Sequence, residues 1–295
     1  SSTLLVQGAE VLFLGPDGSR SGMVLMEPAK ADAPVIIHRP RPMRGLRFLP
    51  QRFRAHLEAR QMRKLAEACG GAFDILWIFD LYRFRSLRDR GSARLRIVHV
   101  MDLKHPADLL EPASHADLVI VVSPSMAEGL DASTIPVLHI PHGLMPRKAT
   151  SITLPAFPLG PRLGYLGNLA MRGIHWPSLL AIARDHPQAQ LVLMGPLHGA
   201  FGDSTRLDPS IENTLRAMPN VHFTGALPYD EVPAWLEAMD VLLIAYDLEA
   251  QDIRATSSHK LLEYLASGKV VLSSYLEDHA EMSELIVMTR PGQRI

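Results

Sequence analysis

The sequence predicts an α/β fold made of two Rossmann-like, doubly wound domains facing a cleft. Three observations predict it. Short runs that are apolar throughout, such as Asp117 to Val122 and Gln190 to Met194, alternate with segments of helical period. Strands without polar alternation are covered on both faces, which is the condition of a parallel sheet packed between helices. The pattern stops in a proline-rich, aperiodic stretch and then resumes, and 295 residues suffice for two domains of ordinary size.

In chain order, Val11 to Leu14 ends at Gly15-Pro16, and Pro34 to His38 forms a second strand. Phe53 to Cys69 has helical period and stops at Gly70-Gly71. Asp74 to Phe79, Leu95 to Met101, Asp117 to Val122 and Val137 to Ile140 are further strands. Pro146, Pro155, Pro158 and Pro161, with Pro141 upstream, mark a linker at 149–161 between a domain at 1–148 and one at 162–295. The second domain has strands at Arg162 to Leu166, Gln190 to Met194, Val221 to Thr224, Val241 to Ala245 and Val270 to Ser273. Its helices fall at Pro177 to His186, Pro209 to Ala217, Tyr229 to Ala238 and Ser258 to Ala266. Ligands of such sheets sit at the carboxyl ends of the strands.

Composition narrows the class. The single cysteine, Cys69, cannot form an internal disulfide, so a reducing, cytoplasmic setting is expected. No apolar run has the roughly 18–20 residues of a membrane span, and no signal peptide is visible. Charge is uneven: residues 1–150 hold 20 basic and 15 acidic side chains, and residues 151–295 hold 10 and 16. Arg39, Arg41, Arg44, Arg47, Arg52 and Arg54 interleave with Leu46, Phe48, Leu49 and Phe53. Arg83, Arg85, Arg88, Arg90, Arg94 and Arg96 form a second basic group. Basic and apolar side chains together suit an anionic membrane surface, the inner face of the plasma membrane; a solvated surface is the ordinary alternative, and nucleic acid is not the expected partner.

Three segments carry the chemistry. In Ser257 to Lys269, Ser257 or Ser258 caps a helix that Gly268 terminates, with Leu261, Leu262 and Leu265 as its buried stripe. Free amides at its start, with Lys260, favour a diphosphate, and Glu263, roughly 4.5 Å further along the axis, suits the hydroxyls of an attached ribose. The plain alternative is a capped surface helix with an i, i+3 ion pair. In Leu163 to Gly173, Gly167 allows close approach to the backbone and Arg172 offers a cation, or the loop is a tight turn with a solvated arginine. In Val221 to Pro233, a strand ends at Gly225, and Asp230 either flanks a base site or caps a helix.

In this order and spacing the three segments resemble GT-B glycosyltransferases, particularly bacterial enzymes of exopolysaccharide and capsule synthesis. The resemblance runs through RLGYLGNL, Trp176 to Pro196, NVHFTGALPYDEVPAWLEAMDVLLIAY and SSHKLLEYLASGKVVLSS, and more loosely through Ala116 to Pro124 and Ile140 to Gly143. It implies a UDP- or GDP-sugar donor held mainly by the second domain at Gly167, Arg172, Gly225, Ser258, His259, Lys260 and Glu263. It implies a lipid-linked or polysaccharide acceptor at the first domain, hexosyl transfer without a metal, and no cofactor besides the co-substrate. Asp102, after the strand Leu95 to Met101, is the candidate base of an inverting transfer, with Asp80 the alternative. His105 and His142 are further candidate ligands of sugar or phosphate. Many retaining members carry a second glutamate eight positions before the ribose carboxylate; here that position is Ala255, so the stereochemical course stays open. The family's pattern also leads us to expect that pieces are missing at both ends. A nucleotide-sugar epimerase of the same fold, and a non-catalytic nucleotide-sugar-binding module, are the alternatives.

Overall fold

A computed structural model describes residues 11–14, 22–26, 35–39, 49–68, 70–79, 81, 93–101, 103, 105, 107–131, 133–144, 152–199, 205–248, 259–290, 293 and 295. The chain forms two compact units, Ser1–Leu57 and Glu58–Ile295. In the first, β1 (Val11–Leu14), β2 (Gly22–Met26) and β3 (Val35–Arg39) make a sheet of order β1-β3-β2. β1 runs parallel to β3, and β2 antiparallel to it. The strand β2 was not expected from the sequence.

Helix α1 (Gln51–Ala68) buries Ala55, Ala59, Met62 and Ala66, a stripe at three- and four-residue spacing. It ends as the glycines require. The N–H of Gly71 donates to Ala66 O at 2.9 Å, and Gly70 adopts φ 91°.

The second unit contains two all-parallel sheets. The first has β4 (Phe73–Ile78), β5 (Ala93–Val100), β6 (Leu118–Val121) and β7 (Val137–His139) in sequential order. Arg96 of β5 is 4% exposed, and its guanidinium grips Asp117, with contacts at 2.7–3.0 Å. It is therefore a buried strut between β5 and the turn into β6, not part of a basic surface. Arg94 does face outward, where it pairs with the exposed Asp74 at 3.2 Å. Helix α2 (Ala107–Ala113) and a 3-10 turn, Pro124–Ala127, flank β6.

The second sheet has β8 (Arg162–Leu166), β9 (Gln190–Met194), β10 (Val221–Gly225), β11 (Val241–Ile244), β12 (Val270–Ser273) and β13 (Val287–Met288). Their spatial order is β10-β9-β8-β11-β12-β13, so the winding direction reverses between β8 and β11. Every residue of β9 is buried, and its side chains alternate between two cores. Leu191 and Leu193 join Tyr165, Leu179, Leu215 and Leu243 on one face. Val192 and Met194 join Trp235, Met239, Leu242, Leu261 and Tyr264 on the other. At about 1.5–3 kcal/mol per large apolar side chain, these two layers supply the main driving force for this half.

The helices are α3 (Trp176–Asp185), α4 (Pro209–Arg216), α5 (Val232–Glu237) and α6 (His259–Ala266), followed by a 3-10 segment, Glu277–Glu284. α5 starts three residues later than expected. Residues 228–231 close a turn instead, with Glu231 N–H donating to Pro228 O at 3.0 Å, and Pro233 sits in the first helical turn, where its missing N–H costs nothing. Asp230 therefore does not occupy the cap position; Glu231 does.

Candidate nucleotide site at the switch point

Three neighbouring strands, β8, β9 and β10, each end in a glycine of positive φ: Gly167 (149°), Gly195 (144°) and Gly225 (71°). They are stitched together by Gly167 N–H to Met194 O at 2.9 Å and Gly195 N–H to Gly225 O at 3.0 Å. A methyl group on Gly195 would collide with the carbonyl of Gly167, and one on Gly167 would meet Lys260 Nζ at 3.0 Å. Gly195 was not singled out from the sequence. The available signal was the same one that marks Gly167, a glycine directly after a fully apolar strand.

β8 and β11 pair only at Leu163–Val241 and Gly164–Leu242, and beyond that the ladder opens. The Tyr264 hydroxyl enters the split, accepting from Leu166 N–H at 2.7 Å and donating to Leu243 O at 3.3 Å. One phenol thus satisfies backbone groups of two diverging strands and pins α6 over the crevice. Burial pushes this phenol's pKa far up, so the proton that it donates stays in place. The side chains of α6 that are fully buried are Leu261 and Tyr264; Leu262 and Leu265 are only partly so, which corrects the expected leucine stripe.

With α6 held in this way, Lys260 reaches back over β8. Its ammonium lies 4.3 Å from the Tyr165 ring centroid and 5.3 Å from that of Tyr246, and donates to the Tyr165 hydroxyl at 3.3 Å. Burial pushes its pKa down to about 7, against the opposing pull of the Glu263 charge. The Tyr165 phenol is itself raised by burial, then by Tyr246 and Tyr264, so it offers no anion in return. Lys260 is a cation kept beside a glycine notch and, among the described residues, without a full counter-charge, which is the arrangement that an incoming phosphate completes.

Glu263, one turn on, faces His259 at 3.6 Å. The His259 ring meets that of His142, from the segment after β7, edge-on at 6.0 Å. The structure therefore gathers Gly167, His259, Lys260 and Glu263 at the switch point, with Gly225 two strands away. Arg172 is exposed in the loop after β8. His105 is exposed, and its Nδ1 accepts from Ala107 N–H at 3.2 Å at the start of α2. Ser258, Asp80, Asp102, Arg41, Arg44 and Arg47, and the side chains of Arg39, Arg52 and Arg54, lie outside the described residues.

A separate groove of about 730 Å³ follows the open edge of β10, between Phe157, His222, Arg216 and Trp235. It has room for a ligand, but it has neither the glycine row nor a buried lysine. We place the candidate site at the switch point for that reason.

This architecture defines the class: two parallel α/β sheets of GT-B type. Residues 160–291 match the family described as Glycosyl transferases group 1. Over 122 residues the chain is 29% identical to a protein of Bacillus subtilis (strain 168), TuaH, provisionally named a teichuronic acid biosynthesis glycosyltransferase; the match covers 41% of this chain and 28% of that one. The chain thus spans little more than a quarter of the curated relative that it matches. Among solved structures, sucrose-phosphate synthase from Thermosynechococcus elongatus superposes with TM-score 0.67 at 15% identity, covering 97% of this chain and 76% of that one. Anabaena Alr3699/HepE in complex with UDP-glucose superposes with TM-score 0.54 at 16% identity, covering 80% and 69%.

Proposed function

We propose that the protein is a metal-independent glycosyltransferase that moves a hexosyl unit from a UDP- or GDP-sugar to a lipid-linked or polysaccharide acceptor in cell-envelope glycan synthesis. The observation that carries the reading is the seating of Lys260 against Gly167 at the switch point, with Glu263 one turn along the same helix. In it, Gly167, Arg172, Gly225, Ser258, His259 and Lys260 serve the diphosphate and base, and Glu263 holds the ribose. Residues 162–295 form the donor domain, 149–161 the linker and 1–148 the acceptor side. Asp102, or Asp80, takes the acceptor proton if transfer inverts. The B. subtilis relative's name supports an envelope glycan as product.

Calorimetric titration with UDP, GDP and their sugars tests the site. Glu263→Ala should lose at least tenfold in affinity, about 1.4 kcal/mol. Equal binding by variant and parent would remove Glu263 from the site. Ala255, where many retaining members have glutamate, favours a second reading, a binding module without turnover. Slow hydrolysis of bound donor would decide for the enzyme.

The basic residues Arg39 to Arg54 support peripheral contact with the cytoplasmic face of an anionic membrane. Among the described residues, no helix is long and apolar enough to cross a membrane. Sedimentation with vesicles containing acidic lipid should show binding that falls as salt rises; binding that is absent or indifferent to salt would refute the contact.

A further inference from the structure

The carboxyl ends of β4 and β5 carry a second cluster, one that none of the donor-site residues uses. Register places Ile78 beside Val98, so Phe79 and His99 are neighbours at the sheet's carboxyl edge, with Trp77 one pleat behind. The Trp77 and Phe79 rings stack at 5.6 Å and 11°, and the His99 ring lies 5.9 Å from the first and 5.3 Å from the second. Phe79 is 45% exposed. Trp77 Nε1 and both ring nitrogens of His99 are buried and, among the described residues, have no hydrogen-bond partner.

Three unpartnered polar nitrogens in one aromatic cluster are costly, because buried donors and acceptors are almost always paired. The carboxyl edge is also where ligands of such sheets bind. Burial, followed by the charge of His142, lowers the pKa of His99, which keeps the ring neutral near pH 7. A neutral imidazole has one N–H donor and one acceptor, and the indole adds a donor. That set matches hydroxyl groups, which donate and accept at once, and does not match an anion. The stacked rings, one of them half exposed, supply a flat apolar surface beside these polar groups.

We propose that Trp77, Phe79 and His99 form the acceptor subsite, a platform for a pyranose ring whose apolar face packs on the exposed Phe79 ring and whose hydroxyls become the partners of Trp77 Nε1 and His99 when these two side chains turn toward the sugar. This assignment rests on the glycosyltransferase reading for its meaning, but not for its physics. The platform lies on the route to the donor helix: His142, which acts on His99, also touches His259, the partner of Glu263.

Saturation-transfer NMR of the full chain with methyl β-glucoside, methyl β-glucuronide and methyl N-acetyl-β-glucosaminide tests the proposal, with UDP binding followed separately. At least one glycoside should bind. Phe79→Ala should weaken it at least fivefold, and Trp77→Phe and His99→Phe at least threefold, with UDP affinity unchanged. Trp77→Phe and His99→Phe should also melt no lower than the parent, since each removes buried polar groups that lack partners, so weaker binding could not be charged to unfolding. Binding by none of the three glycosides, or equal binding by parent and variants, overturns the platform. Glycoside binding that depends on Phe79 in a protein that does not bind UDP would leave the platform standing and overturn the donor site.

Discussion

At the scale of the residue, the decisive feature is the lysine of α6. Its ammonium lies between two tyrosine rings and beside a glycine, where burial holds its pKa near 7 rather than in the usual lysine range. A bound diphosphate favours the protonated form and raises that pKa, so above about pH 7 binding must take up a proton. The complex then holds more protons than the free protein, and affinity falls as pH rises. UDP affinity should drop between pH 7.5 and pH 9, approaching tenfold per pH unit while the complex stays protonated. Calorimetry in buffers of different ionisation heat should report uptake of up to one proton. In Lys260→Gln both the slope and the uptake should vanish. A flat pH profile in the parent would show that Lys260 carries no proton to the ligand. The motif around Lys260 was legible in the sequence, but its environment was not. Tyr165 comes from β8 and Tyr246 from the segment just after β11, and only the sheet order brings them beside α6.

At the scale of the element, the glycine row explains why the crevice can open where it does. Gly195 sits at φ 144° with its missing side chain directed at the backbone of Gly167, so neither flexibility nor a rotamer change can relieve an added methyl group. Gly225, at φ 71°, faces open space. Gly195→Ala should therefore cost about 3 kcal/mol or more, from overpacking together with backbone strain. Gly225→Ala should cost only about 1 kcal/mol, the left-handed backbone penalty alone. Thermal melts of the two variants decide it, and comparable losses would mean that the strand ends are not packed as described. The strands of this half were legible nearly residue for residue, because β8, β9 and β12 are apolar runs bounded by polar or glycine residues. β2, Gly22–Met26, is an apolar run of the same kind as the strands that were read, but its antiparallel partner, β3, is separated from it by eight residues that give no tight-turn signal, so no hairpin marked it. The role of Tyr264 could not be read at all. A tyrosine at a buried helical position looks like core, and only the splay of β8 from β11 turns its hydroxyl into a bridge.

At the scale of the whole molecule, the two parallel sheets of the second unit are joined by a small polar contact. Ser123, 2% exposed at the end of β6, donates to Asp278 of the last 3-10 segment at 2.8 Å; Ser125 reaches the same carboxylate at 3.3 Å, and the two serine hydroxyls are 2.8 Å apart. The elements on either side belong to different sheets, separated by more than 150 positions in sequence. A hydrogen bond to a charged group contributes about 1.5–3 kcal/mol, and removing the acceptor leaves the buried Ser123 hydroxyl with only its serine neighbour. At about 2–4 °C per kcal/mol in a unit of this size, Asp278→Ala should lower the melting temperature by roughly 3–12 °C. The form of the change matters more than its size. The six-stranded sheet keeps both of its cores in the variant, whereas the four-stranded sheet loses a tie to its larger neighbour, so one calorimetric transition should broaden or divide, with the four-stranded half melting first. Amide exchange should quicken in Leu118–Val121 and Glu277–Glu284 and stay unchanged in β9, every residue of which is buried. A donor nucleotide that binds at the switch point would then raise the upper transition alone, by about 2.7 kcal/mol at one hundred times its dissociation constant. Unchanged melting and exchange in Asp278→Ala would show that the sheets hold together without this carboxylate, and a nucleotide that raised both transitions equally would show that its site is built from both.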